Sequence, residues 1–535
     1  MASRCPRDAA PQGAGRILVL LPDPKAFDLQ SHNDSIWHRL TKSMDPYVFL
    51  PAAALVILFV CVGSFLPERT QTVFGGVQEF IATNFGWFYV VVTLLLLVLC
   101  VVIIFSDWGR LRLGPDDARP EYSRTSWLAM LFSAGMGTGL VFWSVAEPID
   151  HFHNGELAAQ AVGMETERAA LIYTFFHWGL HPWAVYSIFA LAIAYFHFRK
   201  GQPLAPRSLL TPLTEQVSNP AGRTFDVICT VGTLFGVSTS LGLGAMQINA
   251  GIREYASIGS STAVQVGIIC CITLVATISV VSGIDSGIRR LSLANMVLAA
   301  VLTTVIFILG PTRNIIHLFV SGVGQYLQHL PALSTYLATG SEGSDWQAEW
   351  TFFYWGWWIS WSPFVGVFVA RISRGRTIRE FVTCVLLVPT LATVAWLSIY
   401  GGTALEFLET KPDFPVNEMT QTPSRALHLL LEYLPAGWLW GPVATLLIIT
   451  FFVTSSDSGS LVDDIVTSGG HPNPPRIQRV FWAVSEGLVA ITLLIAGGLQ
   501  ALQTASLTVG LPMAVVLLVT SYGLCIEMRR SRDSR

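Results

Sequence analysis

Between Trp350 and Phe364 the chain reads WTFFYWGWWISWSPF, with tryptophans at 355, 357, 358 and 361 followed by Pro363. On a helix Trp357 and Trp361 stand at i and i+4, and Trp358 and Trp361 at i and i+3, so each pair shares a face. A second aromatic set, HWGLHPWAVY, places Trp178, Trp183 and Tyr186 around Pro182, and neither stretch contains Asp, Glu, Lys or Arg. Ring faces without a carboxylate suit a quaternary ammonium, whose charge is spread over methyl groups and gains from several ring quadrupoles. A small hydrated cation or a metal would call for carboxylates or thiolates instead. The third feature is SAGMGTGLVFWSVAEP, with Gly135, Gly137 and Gly139 at alternate positions. Each glycine costs about 1 kcal/mol relative to alanine in a helix, and the i, i+2, i+4 spacing does not form one GxxxG packing stripe. The spacing predicts an unwound stretch whose backbone lines a cavity and offers N–H donors to a carboxylate. A zwitterion such as a betaine fits both halves. Aromatic core packing and close helix packing are the alternatives for these residues taken singly.

The elements that must position these residues are membrane helices. Of 535 residues, 52% are apolar and 13% charged, about half the charged fraction of an average soluble protein. The apolar residues come in blocks such as YVFLPAAALVILFVCVGSFL, Tyr47 to Leu66, and roughly 20 of them cross a bilayer core of about 30 Å. A soluble enzyme is excluded, and with a net charge of −3 no basic domain points to a nucleic-acid partner. Twelve spans are expected, centred near 56, 96, 136, 184, 238, 272, 301, 360, 390, 449, 487 and 515. If the N-terminus is cytoplasmic, this map puts 26 of the 32 Lys and Arg on the cytoplasmic side, as the positive-inside rule requires. Both termini are therefore expected inside. The segment RNIIHLFVSGVGQYLQHL has helical apolar spacing and is expected to lie along the outer face. Thr403 to Ala436 reads as a polar cap.

Other residues could carry different chemistry. His177 and His181, with Glu147 or Asp457, would serve an intramembrane enzyme acting on lipid, although no third acidic or thiol ligand is adjacent in sequence. The hydroxyls of FFVTSSDSGS suit a hard cation, or equally helix–helix hydrogen bonds. The eight cysteines show no metal-ligand spacing. A channel is disfavoured, since no ring of charge or repeated filter loop occurs.

The segments GMGTGLVFWSVAEP, HWGLHPWAVY, SLGLGAMQINAG, YWGWWISWSPFVGVFVARISRGRTIREF and FFVTSSDSGS resemble the betaine/choline/carnitine transporter (BCCT) family, over Tyr47 to Ile526. The resemblance implies an all-α membrane protein of 12 transmembrane helices. These would form the LeuT-like five-plus-five inverted repeat of sodium-coupled amino-acid transporters, plus two N-terminal helices. The implied divisions are a cytoplasmic arm (1–46), two extra membrane helices (47–106) and a first repeat (125–309). An outer-face helix and loop (311–349), a second repeat (350–526) and a short cytoplasmic tail (527–535) complete the chain. A homotrimer in a bacterial inner membrane is implied, with lipid as surroundings, no enzymatic activity and no cofactor besides Na⁺ as coupling ion.

Carried over by position, the family's aromatic box falls on Trp178, Trp183, Tyr186 and Trp358, with Trp361 on the path toward the cytoplasm. Phe353 and Trp357 match gating or transient-site aromatics. The family's principal sodium site falls on Ser133, Ala134, Met136 and Phe451 through backbone carbonyls, and on the hydroxyls of Thr454 and Ser455. The chain departs from the family in several places. Thr138 replaces the Ile of GMGIG. Gly139 stands where proton-coupled choline carriers place Asp, which favours a zwitterion over choline. SLGLGAMQIN carries none of the Arg of sodium-independent carnitine exchangers. A second sodium position would involve Thr233 and Phe364, but Val237 stands where another hydroxyl is expected. Sodium-coupled import of a glycine betaine-like solute is thus the expectation. A proton-coupled choline or betaine importer and an ion-independent carnitine-type exchanger are the alternatives.

Overall fold

A computed structural model describes residues 44–533, apart from 136, 155–162, 215–218, 257, 283–284, 339–340 and 472–473. The N-terminal arm and Met136 thus lie outside the described residues. Among these residues the chain is helical and carries no strand, only an isolated bridge between Arg112 and Thr377.

The chain opens with α1 (Pro46–Phe65) and α2 (Pro67–Phe105). Each starts on a proline, which loses nothing at the first helical position because that N–H has no intrahelical partner. Asp45 caps α1, its carboxylate accepting from the Tyr47 N–H at 3.1 Å. Next come α3 (Arg124–Gly135), α4 (Thr138–His153), α5 (Thr166–Trp178), α6 (Leu180–Ala194), α7 (Pro220–Ala256), α8 (Thr262–Ser282) and α9 (Asp285–Leu309). The segment with helical apolar spacing forms α10 (Thr312–Thr335) and is followed by α11 (Ser341–Gln347). A π turn over Ala348–Phe352 leads into α12 (Phe353–Arg371), then α13 (Ile378–Thr410). Three elements, α14 (Val416–Gln421), α15 (Ala426–Glu432) and α16 (Gly437–Thr467), precede the long α17 (Arg476–Asp533).

Nine helices among the described residues are long and apolar enough to cross a membrane, fewer than the twelve spans expected. The difference has local causes. The glycine span is split between α3 and α4, each shorter than a bilayer crossing. The tryptophan span, α12, carries Ser, Gly and Pro among its rings. The eleventh and twelfth spans are joined in α17, which bends at Gly497–Gly498. Gly498 has φ 60° and ψ −133°, a conformation closed to residues with a Cβ.

Burial is inverted relative to a soluble protein. Leu55, Ile57 and Leu58 of α1, Leu274 and Ile278 of α8, and Leu293 and Val297 of α9 are exposed. Every residue of α6 is buried, His181 and Ser187 among them. Apolar side chains outside and polar ones within are what a bilayer requires, since lipid offers no hydrogen-bond partner. The polar cap expected at Thr403–Ala436 is partly helical, because α13 continues to Thr410. Its next turns are tied by Arg425, which pairs with Glu254 at 2.6 Å and with Glu418.

Candidate functional site

The glycine motif breaks its helix. Gly135 ends α3, and Gly137 is extended (φ −159°, ψ 179°) at the start of α4. The first N–H groups of α4 therefore have no intrahelical acceptor. Gly139 differs from the unwound backbone expected of it. It lies inside α4 and packs directly on Trp357, whose ring a Cβ there would strike. On α7, Gly236 makes a similar approach to Trp361 possible, and its carbonyl accepts from Trp357 Nε1 at 3.4 Å.

The second aromatic set also sits at a break. Gly179 separates α5 from α6 with φ −95° and ψ −124°, and Pro182 has no N–H to return to the Trp178 carbonyl. The His177 carbonyl at this break accepts from Trp358 Nε1 at 2.8 Å. The Leu180 N–H donates to Tyr326 Oη at 3.0 Å.

The two sets meet. Trp178 stands edge-on to Trp358 with ring centroids 4.8 Å apart, and Tyr186 does the same at 6.4 Å. Trp183 lies perpendicular to Tyr186 at 5.4 Å. Trp357 stacks on Trp358 at 4.8 Å and 14°, and Phe353 stacks on Trp357 at 5.5 Å. Trp361 is edge-on to Trp357 at 6.2 Å. Seven aromatic residues named from the sequence thus form one continuous cluster. The Tyr186 hydroxyl and the Trp361 indole N–H are buried in it without hydrogen-bond partners among the described residues.

One residue central to the cluster was assigned elsewhere by the sequence. In the sequence Glu147 points only to an intramembrane enzyme, and neither aromatic stretch contains a negative residue. In the fold, Glu147 Oε2 accepts from Trp178 Nε1 at 2.8 Å and from the Tyr354 hydroxyl at 2.5 Å. Oε1 meets His177 Nδ1 at 2.7 Å and His151 Nε2 at 3.3 Å. His177 Nε2 meets Thr351 Oγ1 at 3.0 Å. The carboxylate is wholly buried, and its lone pairs are spent on these donors. The available signal was an ionisable residue inside an apolar span, a functional candidate by default. Glu147, His151 and His177 bring ligand atoms within 4.8 Å of one another and could in principle hold a metal. The hydrogen bonds already account for Glu147 and His177. His181 is not part of this group; its ring stacks on Trp355 at 5.2 Å.

The expected sodium ligands are less completely described. Ser133 and Ala134 lie in the last turn of α3, and Met136 is outside the described residues. Phe451 is buried in α16. The Thr454 hydroxyl donates to the Thr450 or Phe451 carbonyl at 3.1 Å and accepts from Asn295 Nδ2 at 2.9 Å. Asn295, on α9, had no sequence signal. Beside Gly244 of α7 lie both Phe452 and Thr138, so this part of α16 approaches the break between α3 and α4.

Known proteins that this chain resembles are transporters. Residues 47–533 match the model of the betaine/carnitine/choline family transporters. An uncharacterized transporter of Mycobacterium tuberculosis is 44% identical over 491 residues, covering 90% of this chain and 82% of its own. A glycine betaine/proline/choline transporter of Vibrio parahaemolyticus is 41% identical over 502 residues, 89% of each chain. The glycine betaine transporter OpuD of Bacillus subtilis is 42% identical over 488 residues, 91% of this chain and 94% of its own.

Proposed function

Because the chain belongs to the betaine/carnitine/choline family of transporters, and is thus a transporter and not an enzyme, we propose that it imports a glycine betaine-like zwitterion by symport with Na⁺. The observation that carries this reading is the convergence of Trp178, Trp183, Tyr186 and Trp358 from two broken helices. Trp357 occupies one face of Trp358. On this reading the trimethylammonium group is bound by the ring faces and edges of Trp178, Tyr186 and Trp358. Several such contacts, desolvated, are worth about 2 kcal/mol or more each.

Glu147 does not serve as counter-ion, since its oxygens are engaged by Trp178, Tyr354 and His177. Recognition of the cation is then left to the rings. The carboxylate of the solute has complements in the free N–H groups opening α4 and in the unpartnered Tyr186 hydroxyl and Trp361 N–H. A carboxylate side chain at position 139, which would suit choline, has no room beside Trp357.

For the coupling ion, Thr454 and Ser455 of α16 would provide hydroxyls, with Phe451, Ser133, Ala134 and Met136 providing carbonyls. These are hard oxygen ligands. Binding there before the solute would favour the conformation in which the α3–α4 break and the rings are arranged to receive it. The accompanying architecture is twelve spans in two inverted repeats after two extra helices, assembled as a trimer in a bacterial inner membrane with both termini cytoplasmic.

Uptake of radiolabelled glycine betaine, choline, carnitine and ectoine into proteoliposomes tests this. Import of glycine betaine that collapses when K⁺ replaces Na⁺, at fixed pH and membrane potential, is expected. Uptake driven by a pH gradient without Na⁺, or exchange without any ion, would replace the reading.

A further inference from the structure

Where α16 packs against α17, Ser456, Gly459, Asp463 and Thr467 of α16 follow one another along a single helical face. Opposite them on α17 stand Glu486, Trp482 and Gln478, four residues apart and in reverse order. The register is fixed at both ends. Gln478 Nε2 and Trp482 Nε1 donate to Thr467 Oγ1 at 2.6 and 3.0 Å. Ser456 Oγ lies 3.3 Å from Glu486 Oε2. Asp463 falls between these contacts, facing the gap between Trp482 and Glu486.

This gap contains oxygen atoms without partners. Both carboxylate oxygens of Asp463 and Oε1 of Glu486 are buried with no hydrogen-bond donor among the described residues, and both residues are 0% exposed. Asp463 lies within electrostatic reach of the Glu486 carboxylate. Gly459 leaves the space that Oε1 of Glu486 occupies, since a Cβ there would come within 2.8 Å of it. A third helix brings further oxygens to the same depth. Val237 of α7 touches this side of Gly459. One and two turns away on α7, the hydroxyls of Thr233 and Thr230 are also buried without partners.

A further buried carboxylate, Asp457 on α16, also lies within electrostatic reach of Glu486, whereas three others are compensated. Asp226 is paired with Arg207, Asp464 has Arg479 within electrostatic reach, and Glu147 accepts from Trp178, Tyr354 and His177. Among the described residues, no Lys, Arg or His pairs with Asp463 or Glu486. Two uncompensated carboxylates in a low-dielectric interior are strongly unfavourable. A pair sharing one site keeps one proton and one charge. The remaining charge, with carboxylate and hydroxyl oxygens beside it, selects a hard cation. Ca²⁺ would demand six to eight oxygens, more than Asp463, Glu486 and Ser456 offer.

We propose that Asp463 and Glu486, with the Ser456 hydroxyl beside the latter, form a binding site for one Na⁺, in which Asp463 lies two turns along α16 from Thr454 and Ser455. The site does not depend on the identity of the transported solute.

The test is equilibrium binding of ²²Na⁺ to the full-length protein in nanodiscs at pH 7.5 without solute. Asp463→Asn and Glu486→Gln are each expected to bind one Na⁺ fewer per protomer than wild type. Thr454→Ala combined with Ser455→Ala should retain this ion. Acidification to pH 5 should release it from wild type as the second carboxylate protonates. Unchanged stoichiometry in both amide variants overturns the proposal, as does one equivalent of ⁴⁵Ca²⁺ bound in place of Na⁺. A readout independent of variant folding is the infrared difference spectrum of wild type in Na⁺ against K⁺. A shifted carboxylate band is expected, and its absence also overturns the site.

Discussion

Replacing Glu147 by glutamine isolates what the carboxylate does for the aromatic cluster. Its Oε2 holds two ring donors, Trp178 Nε1 at 2.8 Å and Tyr354 Oη at 2.5 Å, while Oε1 faces His177 Nδ1 at 2.7 Å. A glutamine can keep its carbonyl toward the two rings and point its amide at His177. The imidazole can then accept at Nδ1 and donate from Nε2 to Thr351 Oγ1. None of these three donors is stranded, but their charge-assisted hydrogen bonds become neutral. Charged hydrogen bonds contribute about 1.5–3 kcal/mol and neutral ones about 0.5–1.5, so the loss at the two rings alone is about 2–3 kcal/mol. Part of this is lost stability and part is looser placement of Trp178 against Trp358. If half reaches the solute, the apparent affinity for glycine betaine falls roughly tenfold. Glu147→Ala is more severe, because it leaves the Trp178 and Tyr354 donors unpaired in a dry interior. Initial uptake rates against solute concentration, normalised to surface expression, read the effect. Tyr354→Phe, alone and combined with Glu147→Gln, measures the coupling through a double-mutant cycle. Glutamine and alanine variants that both insert normally and both keep KM within twofold of wild type would refute the positioning role.

Trp358→Leu removes the ring that Trp178, Tyr186 and Trp357 all contact, and should abolish high-affinity uptake while leaving membrane expression intact; unchanged apparent affinity would count against the aromatic box. Thr454→Ala with Ser455→Ala should raise the Na⁺ concentration giving half-maximal transport, and an unmoved sodium curve would remove both hydroxyls from the ion site. Gly139→Ala places a methyl group against the Trp357 ring and should destabilise the protein by about 1–3 kcal/mol through overpacking, visible as a lower melting temperature in detergent. His428, in α15 outside the membrane helices, meets Thr445 Oγ1 at 3.0 Å through Nε2; burial, then the nearby Arg425, push its pKa from 6.5 to about 4. Its folded pKa lies below the unfolded one, so its contribution is present above pH 6.5 and about 3 kcal/mol is lost as pH falls toward 4; His428→Gln should flatten the melting temperature over that window.

Features that depend on neighbours along the chain were legible in the sequence. The breaks at Gly137 and Gly179 follow from local composition, since glycine and proline disrupt a helix whatever surrounds it. The aromatic residues were equally legible, because tryptophans one helical turn apart must share a face. Contacts across the chain were not. Glu147 lies 207 residues from Tyr354, and Asn295 lies 159 from Thr454, so no periodicity could pair them. Gly139 marks the boundary between the two kinds of information. Its spacing correctly flagged a disturbed helix, but only the Trp357 ring against it shows that this glycine makes room for packing.

The same distinction explains why the helices nearest the site have low hydropathy. A lipid-facing helix such as α1 must be apolar on its exposed sides, so its sequence declares it. A helix enclosed by other helices is free of that demand and can carry whatever its neighbours satisfy. The α12 helix carries Ser360 and Ser362, whose hydroxyls donate to the Trp357 and Ile359 carbonyls at 2.8 and 2.7 Å. The α4 helix carries Glu147, satisfied by donors from α5 and α12. These polar groups lower the hydropathy of the segments that bring the rings together. In a chain of this kind, spans that score poorly as membrane helices, yet hold aromatic residues beside a helix breaker, are the ones to search first for a solute.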